Sequence, residues 1–183
     1  MLRVLSQRKI VRKRIKVLRG RLFRTAYAWC HNRALADDLV QETSLRALEN
    51  AGRLRDPDAV DAWVFRILAN CHRSHLRRLG GDSGFEAIAE VADHTADPEH
   101  LVDERDLVER VRAAMAALNP EQRKVLSLVD LEGFSYTEVA TILEIPVGTV
   151  MSRLCRARRR LKARLQTPVA APGGRVIYLH RTQ

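Results

Sequence analysis

The stretch "FSYTEVATILEIPVGTVMSRLCRARRRL", Phe134 to Leu161, decides how the chain is read. Ser135 and Glu138 have the spacing of a capping box, in which each side chain satisfies the other residue's backbone N–H at a helix start. Val139, Ala140, Ile142 and Leu143 then supply the apolar face of a short helix. Pro146 lacks the N–H that an interior helical position needs, so it stops this helix or opens the next. A second helix begins near Val147, with Val150, Leu154, Leu161 and Leu165 at helical spacing. Two short helices joined by a few residues, the second more basic, predict a helix-turn-helix. Small Ala140 lets the helices cross closely, and Ile145 and Val150 fill the angle between them. From Met151 to Leu165 stand Arg153, Arg156, Arg158, Arg159, Arg160, Lys162 and Arg164, with no acid. That density suits a polyanion, although a hairpin with a solvated basic face has the same pattern.

The whole chain shares this bias. Its 183 residues carry a net charge of +10 and a pI near 10.4, which favours nucleic acid or another anionic surface as partner. Apolar residues make up 46%, enough to bury one core or two small ones. No apolar run approaches the roughly 18 residues that span a bilayer. The basic start "MLRVLSQRKIVRKRIKVLRGRLFR" lacks the apolar centre of a signal peptide, so a cytoplasmic protein is expected. Cys30, Cys71 and Cys155 are scattered and odd in number, which predicts small buried thiols and no disulfide framework. "CHRSH" (Cys71, His72, His75) has no second ligand pair at metal-binding spacing and is flanked by arginines. No metal and no cofactor are expected. Neither a glycine-rich phosphate loop nor a Ser/His/Asp constellation is present, so no enzyme is expected either.

The expected fold class is all-α: two small helical domains joined by a flexible acidic linker, the C-terminal one a helix-turn-helix. In the first block, residues 1–79, Leu22, Ala26 and Trp29 share a stripe, with Phe23 beside it. "RALADDLVQETSLRALENAG" reads as a second helix. "DPDAVDAWVFRILANCHRSHLRR" reads as a third, with Val60, Trp63, Val64, Ile67, Leu68 and Cys71 as its apolar face. Trp63 is assigned to the core by its stripe with Val60 and Ile67, although an aromatic there also suits base stacking. "GGDSGFEAIAEVADHTADPEH", residues 80–100, is rich in glycine and acid and has no Lys or Arg, which predicts a linker. The second block, 101–166, opens with a helix near Leu101 to Leu118. "NPEQ" (Asn119 to Gln122) gives a capping Asn, a Pro at the first helical position and a Gln to close the box. That helix is expected to reach Leu131, and Gly133 to supply the turn before Ser135. The tail, 167–183, is broken by Pro and Gly and contains a strand-like "RVIYLH".

Two helical blocks, a linker and a C-terminal helix-turn-helix resemble the extracytoplasmic-function (ECF) sigma factors of bacterial RNA polymerase, which keep only regions 2 and 4 of the sigma-70 family. The residues that carry the resemblance are "ADDLVQET" (Ala36–Thr43), "AWVFRILAN" (Ala62–Asn70), "LNPEQRKVLSLVDLEGFSYTEVA" (Leu118–Ala140) and "IPVGTVMSRLCRARRRL" (Ile145–Leu161). They stand in the family's order and spacing over most of residues 21–165. The resemblance implies a dissociable subunit that binds core polymerase, at the β′ clamp helices and β flap, and directs promoter-specific initiation in a stress or extracytoplasmic response. It also implies promoter DNA and a cognate anti-sigma factor, often membrane-anchored, as partners, with no membrane insertion by this chain. The alternative is a stand-alone helix-turn-helix regulator. One of the response-regulator type would need a receiver domain with a parallel sheet.

Residue by residue, Asp37, Asp38, Gln41 and Glu42 fall at i, i+1, i+4 and i+5 and form one polar, acidic helical face. By resemblance this face meets the basic clamp helices. The helix from Val60 to Arg78, with the loop Gly52–Asp58, is similar to the part that holds the minus-10 strand with a base flipped into a loop pocket. Arg66, Asn70, Arg73, His75, Arg77 and Arg78 are its candidates, since Asn pairs with a base edge and Arg clamps phosphate or stacks. The opening stretch is similar to region 4.2, which reads the minus-35 element. Gly148 and Thr149 are expected near phosphate at the helix N-terminus, and Ser152, Arg153 and Arg156 at base edges or groove. Arg159, Arg160, Lys162 and Arg164 are expected to meet phosphate or water. The acidic linker resembles the segment that threads the RNA exit path; a solubilising tether has the same composition. Glu144 stands where the family commonly has Gly, and Met151 where it usually has Lys or Arg. The basic arm, residues 1–17, is longer than the family pattern, and nothing in it assigns a role.

Overall fold

The computed structural model describes residues 2–80 and 102–166, and these are helical with no strand among them. No receiver-type sheet is present among the described residues. The linker and tail readings lie outside them.

The basic arm is the start of one continuous helix, α1, Leu2–Cys30. Val11, Ile15, Leu18, Leu22, Ala26 and Trp29 form its buried stripe. The helix ends at His31, whose positive φ of 51° turns the chain. Asn32 then caps α2 (Arg33–Glu49) by accepting from the Leu35 N–H at 2.9 Å. This two-residue corner makes α1 and α2 a hairpin. A 3₁₀ turn, Ala51–Arg53, leads into the loop before α3 (Val60–Arg78). Two side chains organise that loop: Gln7 donates to the Leu54 carbonyl at 2.6 Å, and Asp56 accepts from the Asp58 N–H at 2.9 Å. Trp63 is half-buried and packs on the core edge.

The second block contains α4 (Val102–Ala116), α5 (Pro120–Leu126), α6 (Tyr136–Leu143) and α7 (Val147–Gln166). Asn119 caps α5 and Pro120 opens it. The predicted box is only half built: the Gln122 amide oxygen accepts from Arg160 at 3.3 Å instead of reaching back to its own cap. The helix expected to reach Leu131 changes character at Ser127. Ser127–Leu131 form one π-helical turn, marked by Glu132 N–H to Ser127 carbonyl at 3.1 Å. Ser135 and Glu138 complete the predicted capping box of α6. Glu144 ends α6 at φ 58°, the left-handed conformation that a glycine adopts without strain. Cys71 is buried and Cys30 half-buried, but Cys155 is exposed on the outer side of α7, against the expectation of a buried thiol.

The two blocks pack on each other. Phe65 of α3 meets Phe134 edge-on at 5.0 Å between ring centroids. Arg21 of α1 donates to the Glu132 carboxylate at 2.7 Å and to its carbonyl at 3.0 Å, and Thr25 donates to the other carboxylate oxygen at 2.7 Å. The Glu132 side chain is only 3% exposed, so these bonds are largely shielded from water. The Trp29 indole donates to Ser127 Oγ at 2.7 Å. Buried Arg123 donates to the carbonyls of Trp29, Ala116 and Leu118, at 3.2, 3.0 and 2.9 Å. One guanidinium thus serves orphan carbonyls at the ends of α1 and α4, where a cation is favoured.

Candidate functional site

Three surfaces gather the residues singled out by sequence. The first is on α2. Asp37, Asp38 and Gln41 are exposed, while Glu42 is half-buried and pairs with Arg46 at 2.6 Å and with Arg78 at 3.8 Å. Asp38, Gln41 and Glu42 line an open groove with apolar Leu35, Leu39, Leu45 and Leu79, closed on the α3 side by His75 and Arg78. His75 and Arg78, grouped by sequence with the minus-10 candidates, thus line the groove beside α2. On a helix they lie some 80–180° away from the other four.

The second surface is the remaining stripe of α3. Arg66, Asn70, Arg73 and Arg77 stand at i, i+4, i+7 and i+11 and therefore share one face. Arg66 and Asn70 are half-buried, Arg77 is exposed, and these three side chains make no hydrogen bond among the described residues. Arg73 is engaged: it donates to Glu144 at 3.0 Å and to the Leu143 carbonyl at 3.0 Å. The end of α6 thus covers the middle of the stripe.

The third surface is α7. Gly148, Ser152, Arg156 and Arg159 are exposed, and Thr149, half-buried, completes their face. The Ser152 hydroxyl donates to the Thr149 carbonyl at 3.1 Å, and Arg156 donates to the Ser152 carbonyl and hydroxyl at 3.1 and 3.3 Å. Arg153 does not join them. It is half-buried and donates to Glu121 of α5 at 2.7 Å, so its partnership is between helices. Arg160 leans the same way, onto Gln122. Arg153 and Arg156 sit about 60° apart around the helix; that spacing left room for either to be the one turned inward. Burial raises the Glu121 carboxyl pKa, but Lys124 and Arg153 outweigh it and hold the group below the ordinary carboxylate range. Arg158 pairs with Asp130 through two hydrogen bonds, which raise its pKa further. Met151 is 53% exposed beside the reading face, an apolar surface where a cation was expected.

Two histidines, His72 buried and His31 half-buried, border the interface between the blocks. His72 is 3% exposed against the Trp29 ring at 5.5 Å, and its Nδ1 has no partner. Burial, then the charges of Lys124, His75 and Arg123, lower its pKa to about 3. His31 is lowered to about 4 by burial and Arg123. Among the described residues no cluster of His, Cys, Asp and Glu has metal-binding geometry, and no helix is long and apolar enough to cross a membrane. Sequence reading missed the roles of Arg123, Glu132 and His72, because they depend on contacts between residues roughly 40 to 110 positions apart.

Two families match this chain: sigma-70 region 2 over residues 15–81 and sigma-70 region 4 over residues 108–161. It is 40% identical to the ECF RNA polymerase sigma factor EcfG of Rhodopseudomonas palustris (strain TIE-1), over 71% of each chain. It is 32% identical to the RNA polymerase sigma-H factor of Pseudomonas aeruginosa, over 74% of this chain and 76% of that one. Its fold is similar to the sigma factor RpoE crystallised with the anti-sigma factor NepR from Bartonella quintana, with a TM-score of 0.71 and 29% identity, covering 85% of this chain and 96% of that one. With both regions matched in order and a relative 40% identical over 71% of each chain, the chain belongs to the ECF sigma factors, the subunits that direct bacterial RNA polymerase to its promoters.

Proposed function

We propose that three surfaces divide the work of this sigma factor. Asp37, Asp38 and Gln41, with Glu42 behind them, dock on core polymerase. Arg66, Asn70, Arg73 and Arg77 hold the minus-10 strand. Gly148, Thr149, Ser152, Arg156 and Arg159 read the minus-35 element. The observation that carries this reading is the two-sidedness of α3: one face closes the acidic α2 groove, and the opposite face bears the Arg/Asn stripe. A subunit built this way can hold a basic protein and a nucleic acid at once. It supplies no bond-making chemistry; it places DNA in front of the polymerase's own site.

The packed arrangement is the resting form in this reading. The minus-10 and minus-35 elements lie about 25 base pairs apart, roughly 85 Å at 3.4 Å per step. Contact between α3 and the end of α6 is incompatible with that span, so the blocks part before both elements are read. Residues 80–100 reach roughly 70 Å when extended, and the lengths of the helical blocks, about 30 Å for α7 alone, supply the remainder. An anti-sigma factor that binds the packed form, of the kind bound to the structural relatives, would hold the chain inactive in the cytoplasm. The test is transcription by core polymerase, with and without this chain, on templates carrying or lacking its two promoter elements. Equal transcript from both templates would overturn the proposal.

A further inference from the structure

The N-terminal part of α1 carries a surface that this division of work does not use. Arg8, Lys9, Arg12, Lys13, Lys16 and Arg19 are all exposed, and none makes an ion pair or hydrogen bond among the described residues. Arg8, Arg12, Lys16 and Arg19 stand at i, i+4, i+8 and i+11, so they form one row, with Lys9 and Lys13 in the next. The region 2 match begins at residue 15, which leaves Arg8, Lys9, Arg12 and Lys13 outside it.

This is not an ordinary mixed-charge helix face. The first carboxylate of the chain is Asp37. The one acid that reaches the arm, Asp61, is taken by Arg14 and Arg21 at 2.5 and 3.3 Å on the other flank of α1. Like charges four apart oppose helix formation, and the arm contains three such pairs: 8 with 12, 9 with 13, and 12 with 16. Packing of Val11, Ile15, Leu18 and Leu22 holds the helix together regardless. The same packing decides between polyanions. A helix that lies in a membrane surface needs a broad free apolar face; here Val11, Ile15, Leu18 and Leu22 are buried in the core, and only Ile10 and Val17 of the arm's described apolar residues are exposed. Duplex DNA needs only cations at suitable spacing. The row covers roughly 17 Å of helix axis, and B-DNA offers a phosphate charge about every 1.7 Å.

We propose that the arm is a third DNA contact: a sequence-independent clamp in which Arg8, Lys9, Arg12, Lys13, Lys16 and Arg19 bind duplex phosphates outside the two recognised elements. The inference rests on the promoter-binding reading above in taking the chain to be DNA-bound. The experiment replaces Arg8, Lys9, Arg12 and Lys13 together by Gln and measures promoter binding of the full chain with core polymerase from low to moderate salt. Each lost phosphate contact makes the log–log salt slope shallower by about 0.9. A decrease of about 2 or more is expected, equal for every sequence placed outside the two elements, with core affinity unchanged. A second variant, Arg8→Lys with Arg12→Lys, should keep the parental slope because it keeps the charge. An unchanged slope in the Gln variant overturns the clamp while leaving promoter recognition intact. Loss of core binding instead would reassign the face to a protein partner, and charge-dependent binding of the free chain to anionic vesicles but not to DNA would reassign it to lipid. Failure of the parental chain to select promoter DNA would count against the promoter-binding reading itself.

Discussion

Arg73 of α3 and Glu144 at the end of α6 are joined by a hydrogen-bonded ion pair of 3.0 Å, and the second Arg73 nitrogen caps the Leu143 carbonyl at the same distance. The pair links a proposed minus-10 contact to the residue that turns the chain into the recognition helix. Glu144 is also one of two described non-glycine residues at positive φ. Glycine would relieve roughly 1 kcal/mol of backbone strain there, but would remove the carboxylate.

The two roles predict opposite effects of two substitutions. Glu144→Gln keeps the turn and removes the charge that competes for Arg73. It should raise holoenzyme affinity for a minus-10 single strand, by up to about fivefold, the equivalent of the roughly 1 kcal/mol ceiling for an exposed pair. Arg73→Ala should lower that affinity. Equal affinity of Glu144→Gln and parent in a fluorescence titration would show that the pair does not restrain strand binding.

On α2, the proposed docking face should respond unevenly. Asp38→Arg and Gln41→Arg alter exposed side chains and should weaken core polymerase binding with a change in folding stability under about 0.5 kcal/mol. Glu42→Arg also breaks contacts with Arg46 and Arg78 and should cost more stability. Core affinity by competition, together with thermal melting, separates these effects. Unaltered affinity in the Asp38 and Gln41 variants would remove the face from the docking surface.

For the recognition helix, Arg156→Ala should relax preference at a single base pair of the minus-35 element, at a cost of about 1–3 kcal/mol in discrimination. Arg153→Ala should lower the melting temperature, because it removes the Glu121 partner between α5 and α7. A base-specific defect for Arg153→Ala with unchanged melting would reverse this assignment.

His72 makes the packed form sensitive to acid. Its pKa falls from the ordinary 6.5 to about 3 because the buried ring cannot take up a proton beside Lys124, His75 and Arg123. The unfolded chain binds that proton near pH 6.5. Stability is therefore full above pH 6.5 and falls as pH drops below it, by about 1.4 kcal/mol per unit, until the folded pKa is reached. Urea unfolding at pH 7, 6 and 5 measures the slope. His72→Gln should remove that share and leave the part His31 contributes, and an identical slope in that variant would assign the acid sensitivity elsewhere.

The helix-turn-helix was legible in the sequence because its determinants are local. A Ser-x-x-Glu box, a proline and a run of arginines act within one or two turns of where they stand. The acidic face of α2 was legible for the same reason; the left-handed turn at Glu144 was signalled only by the glycine that the resembling family commonly has there. The division of the α3 candidates was not: side chains three to five residues apart can face a neighbour or solvent, and only the position of α2 turns His75 and Arg78 toward its acids. Likewise Arg153 is drawn inward by Glu121, 32 residues away. The contacts of Arg21, Thr25 and Trp29 span about a hundred residues and leave no periodic trace.

The π-helical turn at Ser127–Leu131 carries one residue more than an α-helical path between the same ends. Deleting Val129 would leave a regular helical path between the same ends, so α6 and α7 would keep their phase. What would change is local: the wide turn that sets Ser127 Oγ under the Trp29 indole and Asp130 against Arg158 would close up. The wide turn therefore works as a spacer that absorbs one residue, and a frame-preserving loss of one codon there would spare the recognition helix while disturbing the seam between the two halves.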